Sequence, residues 1–324
     1  MVDAPKICVA GIGALGGTFA AMLAHSGANV SVVARGATLQ AIRARGLELQ
    51  GPAGTFCTPV AAAERAPDTR QDLLVLAVKA HQLATLVPLV KATVDAGTPV
   101  LPIVNGIPWW MTVDGPFESA HKTVDPGSVL TAAFPVAQVI GCVAYAFASM
   151  PLPAVVMSDR QPKLVLGRAA QQSGVDAGLA QIGNILSTAG ITVELSADIR
   201  QPIWTKLAFN LATNPLSVLC EATLEKMGTV EDSRAVISDV LAEVRAVGAA
   251  CGLTGLPPTS ALLDVIASAG PHETSMLQDF RAGRLLELDA MGEAVTRLAG
   301  AYGVPTPTIN MLVRLTRFKA AQCR

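Results

Sequence analysis

Lys6-Ile7-Cys8-Val9-Ala10-Gly11-Ile12-Gly13-Ala14-Leu15-Gly16 is the stretch whose reading decides the fold. A short apolar run passes directly into G-x-G-x-x-G. A helical pattern then runs from Ala14 to Ser26, Gly27 closes it, and Asn29–Ala34 is a second apolar run. Strand, glycine turn, helix and strand within about 30 residues make the βαβ unit that binds dinucleotides. Gly11 permits the tight turn, Gly13 lets backbone approach a pyrophosphate, and Gly16 lets the helix pack on the strand. Ile12, Ala14 and Leu15 complete the loop, whose helix N-terminus offers N–H groups to an anion.

The second strand ends in Val33-Ala34-Arg35-Gly36. An NAD-binding chain usually places an acid here for the ribose 2′-hydroxyl. This chain has Arg35 and no acid between Ser31 and Leu47. A guanidinium suits a 2′-phosphate, so the expected cofactor is NADPH.

Farther on, Leu39–Gly46 reads as helix, with short strands near Leu47–Gln50 and Thr55–Val60. Asp72–Val78 is a continuous apolar run typical of a strand buried on both faces. It ends at Lys79. Leu83–Ala96 is amphipathic helix, and Pro99–Val104 is a strand ending at Asn105. Ligands of open parallel sheets bind outside the carboxyl ends of the strands, where Lys79 and Asn105 both stand. Residues 107–196 continue with strands near Ala132–Ala146, Val155–Met157, Lys163–Leu166 and Ile191–Leu195, and a helix at Val175–Ala189. From Asp198 only helical patterns follow, near 199–220, 231–251, 258–268, 273–282, 285–302 and 307–321. The expected organisation is a Rossmann-type α/β domain over 1–196 and an all-α domain over 197–324.

The totals bound the function. The 324 residues are 51% hydrophobic and 15% charged, with a net charge of −1 and no basic block, which argues against a nucleic-acid surface. The six cysteines are Cys8, Cys57, Cys142, Cys220, Cys251 and Cys323. They form no C-x-x-C pair or Cys/His cluster, as expected of reduced packing thiols and not of a metal or a disulfide frame. The start, Met1-Val2-Asp3-Ala4-Pro5, does not read as a signal peptide, and the expectation is a cytoplasmic protein. Ser128–Met157 carries no charge over a length that could span a bilayer, but Pro135, Pro151 and Pro153 interrupt it, and it reads as buried strands and no membrane segment.

In the helical half, Trp204-Thr205-Lys206-Leu207-Ala208-Phe209-Asn210-Leu211-Ala212-Thr213-Asn214 stands out. Lys206, Asn210 and Asn214 recur at i, i+4 and i+8, which drifts only about 40° per step and puts them on one face. Alone, such a stripe reads as a solvated face; in an apolar helix beside a dinucleotide fold it reads as a polar row lining a cleft.

These pieces together resemble the ketopantoate reductases over nearly the whole chain. The resemblance is carried by Gly11–Gly16, Arg35-Gly36, Val78-Lys79-Ala80, Val104-Asn105-Gly106, Trp204-Thr205-Lys206 with Asn210 and Asn214, Ser275-Met276-Leu277-Gln278-Asp279, Gly283-Arg284 and Glu287-Leu288-Asp289. It implies Lys206 as general acid toward a substrate carbonyl and Glu287 as the group that binds or orients a substrate hydroxyl. It further implies Asn210, Asn214 and Ser275 as substrate contacts, Lys79 and Asn105 as lining residues, catalysis between the two domains, and a homodimer. The chemistry suits these residue types: hydride delivery to a ketone leaves charge on oxygen, and an ammonium both stabilises it and supplies a proton. Two features depart or vary. His272 stands where an asparagine is common, and Pro108-Trp109-Trp110 belongs to one branch. The expected function is NADPH-dependent reduction of 2-dehydropantoate to pantoate. Beside it stand a D-2-hydroxyacid dehydrogenase acting on another branched 2-keto acid, and a non-catalytic NADP(H)-binding sensor.

Overall fold

Apolar runs separated by glycine turns make the first half of the chain a set of strands with crossovers, and a computed structural model describes residues 4–52, 54–170 and 175–322. The strands are β1 (Lys6–Ala10), β2 (Asn29–Val33), β3 (Leu47–Gly51), β4 (Gly54–Thr58), β5 (Ala61–Ala63), β6 (Leu73–Leu76) and β7 (Val100–Pro102). Then come β8 (Ile140–Tyr145), β9 (Ala148–Leu152), β10 (Val155–Ser158), β11 (Lys163–Arg168) and β12 (Thr192–Leu195). Cys323 and Met1–Asp3 lie outside the described residues.

The principal sheet has the order β5-β2-β1-β6-β7. Every pairing in it is parallel, so all the carboxyl ends share one edge. A parallel bridge from Val100 to Val139 reaches toward a second sheet of order β12-β11-β8, and a third has the order β4-β3-β10-β9. One continuous apolar core includes Ile7, Val9, Phe19, Leu23, Val75, Leu101, Val156 and Leu166. Burying each such side chain contributes about 1.5–3 kcal/mol before entropy is charged.

Two compact units make up the chain: Met1–Val104 with Val129–Ile199, and Asn105–Ser128 with Arg200–Arg324. The first is the α/β unit. The second is helical, with its long helices at Arg200–Cys220, Glu231–Ala250 and Pro307–Gln322. Its first segment, to which the sequence assigns no element, is a series of 3₁₀ and α turns over Trp109–Thr112, Gly115–Ala120 and His121–Val124. Strand β8 begins only at Ile140, because Val129–Ala133 is helical.

The charge-free stretch does form strands, but β9 is an edge strand with Leu152 60% exposed, so it is only partly buried. Its prolines blunt that edge. No helix among the described residues is long and apolar enough to cross a membrane.

Capping fixes two of the helices. Asp176 accepts from the Leu179 N–H at 2.8 Å and pairs with both Nε and Nη2 of Arg168 at 2.6 and 2.8 Å. These bonds hold its carboxyl down at about 2 against an ordinary 3.8. The stabilisation is whole above pH 3.8 and is lost as pH falls through about 2. Asp176→Ala is therefore expected to lower Tm at pH 7, with the gap to the parent closing at pH 2 in paired thermal melts; a gap unchanged at pH 2 would contradict the assignment. Glu243 caps another helix start, taking the N–H groups of Thr308 and Ile309 at 2.8 and 2.9 Å, and Pro307 needs no partner there. Burial pushes the Cys8 and Cys251 thiols up to about 11, as suits packing residues.

Candidate functional site

In the α/β unit the first turn is built around three different glycine requirements. Gly11 has φ +98°, and a Cβ there would lie 2.3 Å from Val78 Cγ1 and 2.8 Å from the Ala77 carbonyl oxygen. A Cβ on Gly16 would lie 2.0 Å from the Gly11 carbonyl oxygen. Both glycines serve close packing of turn, helix and β6. Gly13 differs: nothing stands within 4 Å of its Cβ position. It is the N-cap of the Ala14–His25 helix, with no side-chain cap. An open backbone surface at an uncapped helix N-terminus is the cradle a pyrophosphate needs. The turn therefore fits a dinucleotide.

Parallel pairing brings two more expected residues to the same sheet edge. Arg35 follows β2 and is exposed at the N-cap of the Gly36–Arg45 helix. Lys79 follows β6, is half-buried, and starts the Ala80–Gln82 turn. Since β2, β1 and β6 are neighbours, Arg35, the glycine turn and Lys79 form one row.

The helical unit holds the other expected residues. Lys206, Asn210 and Asn214 share one face of the Arg200–Cys220 helix. Lys206 and Asn210 are half-buried, and Asn214 is 3% exposed. That helix packs against both the Ser275–Arg281 helix and the Asp289–Glu293 turn. Ser275 is the first residue of the former and is exposed; Thr274, its N-cap, accepts from the Leu277 N–H at 3.1 Å.

Glu287 is 7% exposed and lies just ahead of a π-helical turn at Asp289–Glu293. Asn105 donates from Nδ2 to its Oε2 at 3.4 Å. The neighbouring Ile107 N–H donates to the Ala290 carbonyl at 2.8 Å. Gly106 between them has φ +89°, and a Cβ there would lie 2.5 Å from that carbonyl oxygen. The strand-end asparagine and the buried carboxylate are thus fastened together at a point only glycine allows.

Trp109 and Trp110 are 1% and 4% exposed, packed within the helical unit. His272 is half-buried, and its carbonyl accepts from the Leu224 N–H at 2.9 Å. Sequence reasoning quotes Gly106 without giving it a role, and overlooks Thr274 and Ser217. Thr274 carried a usable signal, a threonine immediately before a helical run; Ser217 carried none.

Residues 7–171 match the family profile described as ketopantoate reductase PanE/ApbA, and residues 198–320 match that of its C-terminal domain. A 2-dehydropantoate 2-reductase of Mesorhizobium japonicum is 34% identical over 98% of each chain. A crystal structure from Ralstonia solanacearum MolK2, provisionally described as a ketopantoate reductase, superposes with TM-score 0.92 at 34% identity, covering 99% of each chain. A D-mandelate dehydrogenase solved with NADH and anilino(oxo)acetate gives 0.85 at 22% identity over 98% of each, which speaks to fold alone.

Proposed function

The chain belongs to the ketopantoate reductase family, and from that premise we propose that it reduces 2-dehydropantoate to pantoate with NADPH, supplying pantothenate synthesis in the cytoplasm. The observation that carries this reading is the single helical face that sets Lys206 and Asn210, both half-buried, in line with Asn214, which is 3% exposed. A protein that only sensed a dinucleotide has no use for that row.

Gly11, Ile12, Gly13, Ala14, Leu15 and Gly16 would hold the pyrophosphate of a bound dinucleotide and Arg35 its 2′-phosphate, with Lys79 lining the same edge; bound there, it would supply hydride to the 2-keto carbon. Lys206 hydrogen-bonds the keto oxygen, stabilises the charge that develops there and gives up a proton to it. Glu287, oriented by Asn105, accepts from the substrate hydroxyl. Asn210, Asn214 and Ser275 offer neutral donors that fix the substrate without adding charge.

The test is NADPH oxidation with 2-dehydropantoate set beside pyruvate, 2-ketoisovalerate and benzoylformate, with NADH as the control. Preference for 2-dehydropantoate supports the assignment. Preference for another acid replaces the substrate and leaves the chemistry of Lys206 in place. The cofactor assignment has its own check. Arg35→Ala is expected to weaken NADPH binding about 10–100-fold, the worth of a charge-assisted contact, with NADH within about threefold. An equal loss for both in fluorescence titration would contradict the 2′-phosphate contact.

A further inference from the structure

Ser217 and Thr274 are buried hydroxyls, 0% and 6% exposed, on the two elements that carry the amide row and Ser275. Their oxygens are 2.6 Å apart. Ser217 Oγ also lies 2.7 Å from the Asn214 carbonyl oxygen, and Thr274 Oγ1 accepts from the Leu277 N–H at 3.1 Å. Each hydroxyl has one proton, and a carbonyl can only accept. One arrangement fills every contact: Ser217 donates to Asn214, Thr274 donates to Ser217, and Leu277 donates to Thr274. The chain of bonds runs from the backbone of Asn214 to the N-cap of the helix that begins at Ser275.

Its location matters because the Arg200–Cys220 helix is weakened just there. Pro215 follows Asn214 and has no N–H to offer the Leu211 carbonyl. Beyond the proline, the Pro215 carbonyl accepts from Thr316 Oγ1 at 3.3 Å, and Lys319 Nζ donates to the Val218 and Leu219 carbonyls of the last turn at 2.8 and 3.1 Å. Lys319 also stands over the Phe280 ring, 5.3 Å from its centroid, near the far end of the Ser275–Arg281 helix; of these contacts, the Ser217–Thr274 pair is the one at the end where Ser275 lies.

We propose that Ser217 and Thr274 are positioning residues: their hydroxyl pair locks the Asn210/Asn214 helix to the start of the Ser275 helix and so sets the spacing of the groups that bind the 2-keto acid. This rests on the substrate role given above to Asn210, Asn214 and Ser275. Neither hydroxyl is assigned a contact with substrate or cofactor.

Ser217→Ala breaks the link and leaves the cap. It is expected to raise KM for the keto acid about 10-fold, the equivalent of one lost buried hydrogen bond. kcat is expected to stay within about twofold, and the NADPH Kd to be unchanged. Thr274→Val should do at least as much, because the cap is lost as well. Thr274→Ser keeps the hydroxyl and should restore parental KM. In the full-length Ser217→Ala protein, amide hydrogen exchange over 275–281 should be faster than in the parent. Unchanged exchange overturns the lock. Faster exchange with unchanged KM, or failure of Thr274→Ser to restore KM, overturns the positioning role. The kinetic measurement uses whichever 2-keto acid the parent reduces, so an error in the substrate assignment appears in the parent and an error in the lock appears only in the variants. A parent inactive on every acid overturns both.

Discussion

Lys206→Ala is expected to lower kcat by about 10²–10⁴-fold, the usual loss for a positioned acid–base group, with the NADPH Kd close to the parent's. The separation follows from where the residues lie. Lys206 belongs to the helical unit, whereas the glycine turn and Arg35 belong to the α/β unit, so its removal leaves the dinucleotide cradle intact. The helix should survive too, because alanine is the best helix former and the site is only half-buried. Lys206→Arg divides the two contributions of the ammonium. A guanidinium keeps the charge but does not give up a proton near neutral pH, so recovery of most of the rate would mean that charge stabilisation dominates. Steady-state kinetics with saturating NADPH, paired with a fluorescence titration, reads both quantities. An unchanged kcat would remove Lys206 from the chemistry.

The second large effect is a contrast between two glycines three residues apart. Gly16→Ala would drive a methyl to 2.0 Å from the Gly11 carbonyl oxygen, and neither the helix nor the turn can yield without moving off β6. Overpacking of this kind costs about 3 kcal/mol, and the displaced turn should lose about 100-fold or more in NADPH affinity. Gly13→Ala meets nothing within 4 Å, and its backbone, with φ −96° and ψ −161°, is open to alanine. Folding stability should stay within about 0.5 kcal/mol, yet the methyl occupies the side the pyrophosphate must approach, and affinity should fall about 10–100-fold. Denaturant melts and NADPH titrations of the two variants decide the matter. If Gly13→Ala bound NADPH normally, the pyrophosphate would not lie against Gly13.

How much was legible in the sequence depended on whether a signal was local. The G-x-G-x-x-G turn, the apolar run of β6 and the i, i+4, i+8 row are properties of neighbouring residues, and the corresponding strands and helix formed. Segment 105–128 gave no local warning. Its turns pack on helices far along the chain, as in the packing of Phe117 on Trp204. The π turn at Asp289–Glu293 was read as plain helix, because a one-residue widening leaves no clear mark on a 3.6-residue pattern. The helix Leu224–Thr229, under two turns long, and strand β5, three residues long, are too short to show a periodic pattern. The Asn105–Glu287 and Ser217–Thr274 contacts join residues remote in sequence, and no spacing rule reaches that far.

The division of the helical unit between Asn105–Ser128 and Arg200–Arg324 has a consequence for biosynthesis. Segment 105–128 leaves the ribosome well before the later helices on which its turns pack. While Val129–Ile199 is being translated, at about 5–20 residues per second, the segment waits for several seconds without the helices it packs against. That interval is when a nascent chain is most exposed to holdase chaperones and to aggregation with its neighbours on a polysome. Yield in a crowded host should therefore depend on elongation speed through 129–199 more than on the stability of the finished fold.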